Sequence, residues 1–125
     1  METSGLNHII MTIKDVKISQ AFYSELLGFE VEPLADGFFL RTGGVAIFFF
    51  PSGRPIPDDR FSEFRIGLDH LSFNAPSEAA LQKLAEQLQA AGVETKGVET
   101  YHTGNKYVAF RDPDNIQLEY WLPKQ

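Results

Sequence analysis

The feature that most constrains this chain is an internal repeat. Gly-Leu-Asn-His at residues 5–8 returns as Gly-Leu-Asp-His at residues 67–70, an offset of 62 residues. Self-similarity of this kind marks a supersecondary unit that a chain uses more than once. After each tetrapeptide the sequence runs through the same patterns in the same order. The 125 residues are therefore predicted to form two copies of one unit.

Each copy contains one helical segment. Apolar residues at helical spacing follow each tetrapeptide, at Ile18, Phe22 and Leu26 in the first copy and at Leu81, Leu84, Ala85 and Leu88 in the second. A glycine comes shortly after each of these patterns, at Gly28 and Gly92. Glycine readily adopts the left-handed backbone that ends many helices, so both helices are predicted to end there.

Three strand-like segments complete each copy. They cover residues 29–31, 38–41 and 45–50 in the first copy and residues 93–95, 106–111 and 116–122 in the second. Together with the alternating stretches that begin at His8 and His70, they give both copies the order β-α-β-β-β.

A four-stranded sheet that carries one helix has one face without a covering layer. Two such units can pair their open faces around a shared cleft. The sequence therefore predicts an α+β fold in which two βαβββ modules form an open, cleft-enclosing sheet. We assign residues 1–125 to a single domain, with module one at 5–51, a proline-containing linker at 52–65 and module two at 66–123.

Strand parity predicts which side chains share a sheet face, because successive side chains point to opposite faces. Two candidate functional residues lie on the more polar faces of their strands: His70 with Ser72 and Asn74, and Glu119 with Gln117 and Trp121. A polar face suits a cleft better than a side that packs on a helix. The strand that begins at His8 leaves the assignment open, because isoleucine occurs on both of its faces.

Composition excludes several classes of function. The chain has no cysteine, which rules out disulfides, thiolate metal sites and cysteine nucleophiles. Its net charge is −6 and its lysines and arginines form no cluster, so nucleic acid is not an expected partner. No apolar segment approaches the length that spans a bilayer. We expect a cytoplasmic protein that acts on a small molecule and has no membrane partner.

Several pieces of sequence, in this order, resemble the glyoxalase, bleomycin-resistance and extradiol-dioxygenase superfamily, also called the vicinal oxygen chelate superfamily. They are Gly-Leu-Asn-His at the start, Phe22-Tyr23 with Leu26-Leu27-Gly28-Phe29, and the run from Phe110 to Asn115 that leads to Leu118-Glu119. The resemblance implies the fold predicted above. It also implies metal ligands on the first and last strands of each module, with the metal chelating two neighbouring oxygens of a substrate.

Carried over residue by residue, the resemblance implies that His8, His70 and Glu119 are metal ligands. The remaining ligand position falls on Phe48, which cannot bind a metal. Two imidazoles and one carboxylate suit a divalent ion such as Mn²⁺, Fe²⁺, Zn²⁺ or Ni²⁺ and leave positions open for substrate or water. The identity of the metal stays open.

His102 and Tyr107 are the candidate catalytic residues. His102 lies in a segment that could form a loop over the cleft, where a group that titrates near neutral pH could act as a general acid or base. A solvent-exposed histidine without a role is an equally good interpretation. Tyr107 shares a strand face with Ala109 and Arg111, and parity leaves open which face of that strand lines the cleft.

The resemblance implies a metal-dependent enzyme, with dioxygenase-like and glyoxalase- or lyase-like chemistry as the leading alternatives. Phe48 weakens the glyoxalase interpretation, since that chemistry usually employs the fourth ligand as a base. A fosfomycin-modifying enzyme is less favoured, because the chain ends six residues after Glu119. A metal-free module that sequesters a drug in an apolar cleft is the alternative from another class. A homodimer is expected from the resemblance alone.

Overall fold

The structure is a computed structural model that describes residues 1–124. It confirms the predicted α+β class. The chain divides into two compact units, the first covering Met1–Asp59 and the second starting at Arg60. The boundary between the units lies within the predicted linker, while the assignment to one domain stays a prediction.

The first unit holds one four-stranded sheet. Its elements are β1 (His8–Ile13), α1 (Val16–Ala21) with a π-helical continuation (Phe22–Leu26), β2 (Val31–Pro33), β3 (Phe38–Thr42) and β4 (Val45–Pro51). The strands are arranged in the order β1-β4-β3-β2. The β1–β4 pair is parallel and the other two pairs are antiparallel.

The second unit repeats this architecture. Its elements are β5 (Leu71–Asn74), α2 (Glu78–Ala90), β6 (Val98–Thr100), β7 (Lys106–Arg111) and β8 (Gln117–Leu122). The strand order is β5-β8-β7-β6, again with one parallel pair, β5–β8. Both units therefore have the predicted βαβββ order, and we call them module one and module two.

Short polar side chains start both helices. The side chain of Asp15 accepts a hydrogen bond from the backbone N–H of Ile18, and that of Ser77 accepts one from Ala80. These bonds satisfy donors that a helix N-terminus leaves free. Gly28 and Gly92 follow the helical segments with φ of +81° and +73°, as the sequence predicts. Among residues 1–124, no helix is long and apolar enough to cross a membrane.

The strand after each helix begins later than predicted. The segment expected at 29–31 starts at Val31, because the Phe29 N–H donates to the Tyr23 carbonyl of the helical segment and is lost to the sheet. The prediction of a strand at 93–95 is wrong, and β6 lies at 98–100 instead. Thr95 Oγ1 accepts the N–H of Gly97, whose φ of +75° turns the chain before the strand can begin.

The first helix does not bury the predicted apolar pattern. Ile18 is 57% exposed, whereas Ser19 and Tyr23 are fully buried. The small side chain of Ser19 allows close packing, and the Tyr23 ring lies 4.5 Å from the ring of Phe49 in β4. The residues through which the helix contacts the sheet therefore lie one position after those of the predicted apolar pattern.

Burial alternates along the strands and identifies the face of each sheet that no helix covers. On β1, Met11 and Ile13 are buried, whereas His8, Ile10 and Thr12 are exposed. His8 therefore lies on the open face of module one, a point that parity alone leaves undecided. On β7, burial of Val108 and Phe110 leaves Tyr107, Ala109 and Arg111 on the open face of module two.

The approach of β3 to β4 depends on a glycine. A Cβ on Gly37 would overlap the Phe49 carbonyl oxygen and would lie 2.6 Å from Cδ1 of Phe50. Because backbone must move to relieve that overlap, we expect Gly37→Ala to lower the free energy of unfolding by about 1–3 kcal/mol in urea titrations. Gly44→Ala is the matched control, since a Cβ there meets nothing within 4 Å. Equal stability of the two variants would contradict this packing.

Candidate metal centre

The open face of module two brings two of the predicted ligands together. His70 lies one residue before β5, and Glu119 lies on β8 opposite Ser72. The Nε2 atom of His70 is 3.4 Å from Oε1 of Glu119. The side chain of Glu119 is 18% exposed and that of His70 is 38% exposed, so the pair is partly shielded but open to a small ligand.

The second nitrogen of the His70 ring also has a carboxylate beside it. Nδ1 of His70 lies 2.7 Å from Oδ1 of Asp69. A carboxylate only accepts hydrogen bonds, so Nδ1 carries a proton. A neutral imidazole has one N–H, and Nε2 can then face Glu119 favourably only with a second proton or a cation between them.

These neighbours raise the pKa of His70 above its ordinary value of 6.5. The hydrogen bond to Asp69 is the largest cause, burial acts in the opposite direction, and the charge of Glu119 raises the pKa further. The surroundings of His70 therefore favour positive charge at the ring, and that preference also suits a bound metal cation.

A chain of polar contacts holds Asp69 in place. Nε2 of Gln117 donates to Oδ1 of Asp69 at 2.9 Å and to its backbone carbonyl at 3.2 Å. Arg111 donates to Oε1 of Gln117 at 3.3 Å and lies 2.7 Å from a carboxylate oxygen of Glu63. Because the arginine fixes the amide oxygen, the amide nitrogen of Gln117 is directed at Asp69. Partners of this kind orient a ligating histidine and select its tautomer.

Module one repeats the anchored histidine but lacks the carboxylate. Nδ1 of His8 lies 2.7 Å from Oδ1 of Asn7. In the strand registers Ile10 pairs with Phe48, as Ser72 pairs with Glu119, so Phe48 occupies the position equivalent to Glu119. The rings of His8 and Phe48 meet edge to face at 5.8 Å between centroids. Module one therefore offers a single imidazole as a candidate ligand.

The structure thus joins His70 to Glu119 and places His8 at the equivalent position of the first unit. Within the described residues 1–124, no three or more histidine, aspartate or glutamate side chains are grouped so that they could hold a metal ion. The donors that meet in module two are nitrogen and oxygen atoms, which suit hard and borderline divalent ions.

Aromatic side chains flank Glu119 on the same open face. Tyr107 pairs with Trp121 across β7 and β8, and their rings stack at 5.8 Å. Tyr101 meets the Trp121 ring edge-on at 5.5 Å. We call Tyr101, Tyr107 and Trp121 the aromatic cluster. It provides a flat apolar wall beside the carboxylate of Glu119.

The two candidate catalytic residues differ in their surroundings. Burial, the charge of Glu99 and the charge of Glu119 raise the pKa of Tyr107, so its hydroxyl stays protonated at neutral pH. His102 is exposed in a turn, and its ring centroid lies 4.2 Å from that of Tyr101. Tyr107 therefore belongs to the wall of the site, and His102 lies at the edge of the aromatic cluster.

Sequence reasoning missed the residues that support His70. Asp69 had a usable signal, since a side chain with an Oδ1 acceptor precedes the histidine in both repeats. For Gln117 the only signal in the sequence was that it shares a strand face with Glu119. The role of Arg111 depends on Glu63, which lies far away in sequence and whose carboxylate is 13% exposed. No local pattern predicts that pairing.

The fold agrees with comparisons to known proteins. The sequence model of the Glyoxalase/Bleomycin resistance protein/Dioxygenase superfamily matches residues 5–120. The chain therefore belongs to this superfamily, as the resemblance implies.

Individual relatives cover nearly the whole chain. The uncharacterized protein YwkD of Bacillus subtilis (strain 168) is 30% identical over 97% of this chain and 98% of its own length. A crystal structure of a glyoxylase/bleomycin resistance protein/dioxygenase domain from Frankia sp. EAN1pec is 31% identical, with a TM-score of 0.81, covering 98% of this chain and 100% of that one. Lactoylglutathione lyase from Agrobacterium tumefaciens, at 19% identity and a TM-score of 0.73, covers 98% of this chain and 96% of its own and shows the shared fold alone.

The contact between Asp69 and His70 predicts a measurable change in titration. We expect Asp69→Asn to lower the pKa of His70, because the largest cause of its upward shift is removed. NMR titration of the histidine ring protons in metal-free protein measures this pKa. A folded-state pKa above 6.5 stabilises the fold below that pH, and the contribution disappears as the pH rises through the folded pKa. The stability lost in Asp69→Asn should therefore be greatest on the acidic side.

The matched control is Asp36→Asn, which removes one exposed carboxylate from module one. An unchanged His70 titration in Asp69→Asn, or an equal change in the control, would show that Asp69 does not support the ring.

Proposed function

We propose that this protein is a metal-dependent enzyme of the vicinal oxygen chelate type. In this proposal His8, His70 and Glu119 hold a divalent metal, which binds a small substrate through two adjacent oxygens. The observation that carries it is the position of His70, which has a carboxylate at each ring nitrogen, 2.7 Å and 3.4 Å away.

The arrangement of His70 supports a cation at Nε2 specifically. Nδ1 is anchored by Asp69, which leaves Nε2 as the atom available for a metal. Glu119 supplies the nearest negative charge on that side, and Gln117 and Arg111 fix Asp69 from behind. A structural ion pair would need only one of the two carboxylates. The supporting network is what a ligating histidine requires.

The ligand set favours open coordination. Two imidazoles and one carboxylate form the set that non-haem iron oxygenases use, and the same donors also accept manganese, zinc or nickel. Phe48 removes the fourth ligand that a closed site would have. When bound, the metal supplies a Lewis acid that polarises a substrate oxygen.

The chain's own residues shape the rest of the site. The hydroxyl of Tyr107 is protonated at neutral pH, and its raised pKa keeps it so at higher pH. It can therefore donate a hydrogen bond to a developing negative charge. The aromatic cluster offers a flat surface to an apolar or aromatic substrate. We propose His102, at the exposed edge of this cluster, as a proton donor or acceptor that exchanges with solvent.

Two reaction classes fit this arrangement. Oxygen-dependent cleavage of an aromatic diol matches the ligand set and the aromatic wall. Glyoxalase- or lyase-like proton transfer matches the superfamily but lacks a fourth ligand to act as base. We favour the former as the first assay. Fosfomycin modification is less favoured, and metal-free sequestration of a drug is the competing hypothesis.

We further propose a homodimer and a cytoplasmic location. The homodimer is proposed from the superfamily resemblance alone. The cytoplasmic location is the default for a sequence without a bilayer-length apolar segment. Light scattering on the purified protein tests the first, and cell fractionation tests the second.

The metal site predicts which substitutions abolish metal binding. We expect wild-type protein to retain close to one Fe, Mn, Zn or Ni per chain when it is purified without chelators. His70→Ala and Glu119→Ala should each lose it, because two ligands hold a metal far less tightly than three. Elemental analysis by plasma mass spectrometry measures the content. His102→Ala is the matched control and should keep the metal.

The identity of the metal separates the alternatives. Iron or manganese would direct the first assay to oxygen consumption with catechols, whereas zinc or nickel would favour isomerase or lyase assays. Full metal retention in Glu119→Ala would refute the ligand assignment. Failure of the wild type to bind any of the four ions when each is added would leave the metal-free binding module.

The supporting network predicts a smaller effect at a distance from the metal. Gln117→Met keeps the size of the side chain but removes the donor to Asp69. We expect metal affinity to fall by less than the roughly 10- to 100-fold typical of a direct partner of a ligating histidine, because Gln117 acts through Asp69. Calorimetric titration with Zn²⁺ measures it, and Gln82→Met, on the exposed side of α2, is the control. Equal affinity in both variants would show that Gln117 is not needed.

A further inference from the structure

The open face of module one contains a concavity of about 480 Å³. Its lining includes His8, Ile10, Arg41, Ala46, Phe48 and Phe50. The chain as a whole carries a net charge of −6, yet none of the acidic residues among residues 1–124 lines this concavity. The surface is therefore largely apolar, with two neutral polar neighbours, Asn7 and His8, and one permanent cation, the guanidinium of Arg41.

The strand registers place two polar members of this lining, Arg41 and His8, in one row. Arg41 of β3 pairs with Ala46 of β4, and Ala46 pairs with His8 of β1. The next row contains Phe39, Phe48 and Ile10. Directly paired residues share a sheet face, so the row of Arg41 and His8 lies beside an apolar row. A small alanine separates the two polar side chains.

In the equivalent row of module two, the arginine is paired with other groups of the protein. Arg111 pairs with Gln117 there, as Arg41 pairs with Ala46 in module one. Arg111 has the carboxylate of Glu63 at 2.7 Å and donates to the Gln117 amide and the Asn115 carbonyl. Its charge is thus neutralised and its donors are used within the protein.

Arg41 has no such partners. Among the described residues 1–124, no carboxylate lies within ion-pair distance of Arg41, and its guanidinium carbon lies 5.4 Å from the centroid of the Phe39 ring. The amide that occupies this row in module two is replaced by the methyl group of Ala46. Among residues 1–124, module one therefore has neither a counterpart of the Gln117 amide nor a carboxylate that neutralises Arg41.

We infer that the concavity of module one binds a small carboxylate with an apolar body. Arg41 pairs with the carboxylate above Ala46, and the body of the ligand packs on Ile10, Phe48 and Phe50. A planar carboxylate matches the fork of donors that arginine presents. This inference deepens the proposed function, since His8 lines the same concavity, and it identifies the substrate as an apolar carboxylic acid.

The test compares two ligands of the same shape in metal-free protein. 2-Naphthoate carries the carboxylate, and 2-naphthamide replaces it with a neutral amide. We expect wild-type protein to bind naphthoate roughly fivefold more tightly, the size of an exposed charge pair. The preference should shrink in 1 M salt, because exposed charges are screened. NMR titration measures both affinities, with the amides of Gly44 and Ala46 as reporters.

Three variants isolate the contribution of Arg41. Arg41→Gln should remove the preference for naphthoate and leave naphthamide binding unchanged, which also shows that the variant is folded. Arg54→Gln removes the same charge from an exposed position nearby in sequence and should behave as the wild type. Ala46→Gln introduces the side chain that module two has at this position and should weaken the binding of both ligands.

Equal affinity of the two ligands in wild-type protein would overturn the inference. So would a preference that survives in Arg41→Gln, or shifts confined to residues outside the concavity. Because the titration is done after removal of metals with a chelator, it is independent of the metal site. Naphthoate binding without metal binding would refute the proposed metal site alone, and the reverse result would refute the carboxylate site alone.

Discussion

The rest of the site depends on one histidine ring that has a carboxylate at each of its nitrogens. Asp69 holds Nδ1 of His70, and Glu119 faces Nε2. A neutral ring cannot satisfy both acceptors, so the arrangement favours positive charge at this point of the sheet. Gln117 and Arg111 direct Asp69 toward the ring, so the geometry of His70 is set by residues that no ligand needs to touch.

The two modules show how one scaffold acquires two chemistries. Both use the same strand order, and both anchor a histidine at the start of the first strand through the residue before it. They diverge at equivalent positions on the open face, where Glu119 stands against Phe48 and Gln117 against Ala46. The equivalent arginines, Arg111 and Arg41, are the same residue with different partners. Module two thereby has a carboxylate beside its histidine and a polar network that holds Asp69. Module one gains an apolar surface with an unneutralised arginine. In our proposals the histidines of both modules share the metal, while the apolar face of module one binds the body of the substrate.

The sequence was sufficient for the architecture because the repeat, the apolar spacing and the glycines are local signals. The predicted position of β6 was wrong, because the turn made by Thr95 and Gly97 depends on a side-chain hydrogen bond that hydrophobic periodicity does not reveal. The sequence did not show on which face of the sheet His8 lies, because both faces of β1 carry isoleucine and only burial distinguishes them. The ligand candidates came from the resemblance, whereas the support of His70 required contacts between residues distant in sequence, such as Arg111 and Glu63.

X-ray absorption spectroscopy of the zinc- or manganese-loaded protein tests the central claim most directly. Imidazole ligands produce characteristic multiple scattering, so the number of histidines bound to the metal can be counted. The proposed site predicts two imidazoles among otherwise oxygen ligands in the wild type. It predicts one in either His8→Ala or His70→Ala, when the variant is loaded at an ion concentration high enough to overcome its weakened affinity. A first shell of oxygen atoms alone, or a count that neither substitution changes, would show that the anchored histidines are not metal ligands.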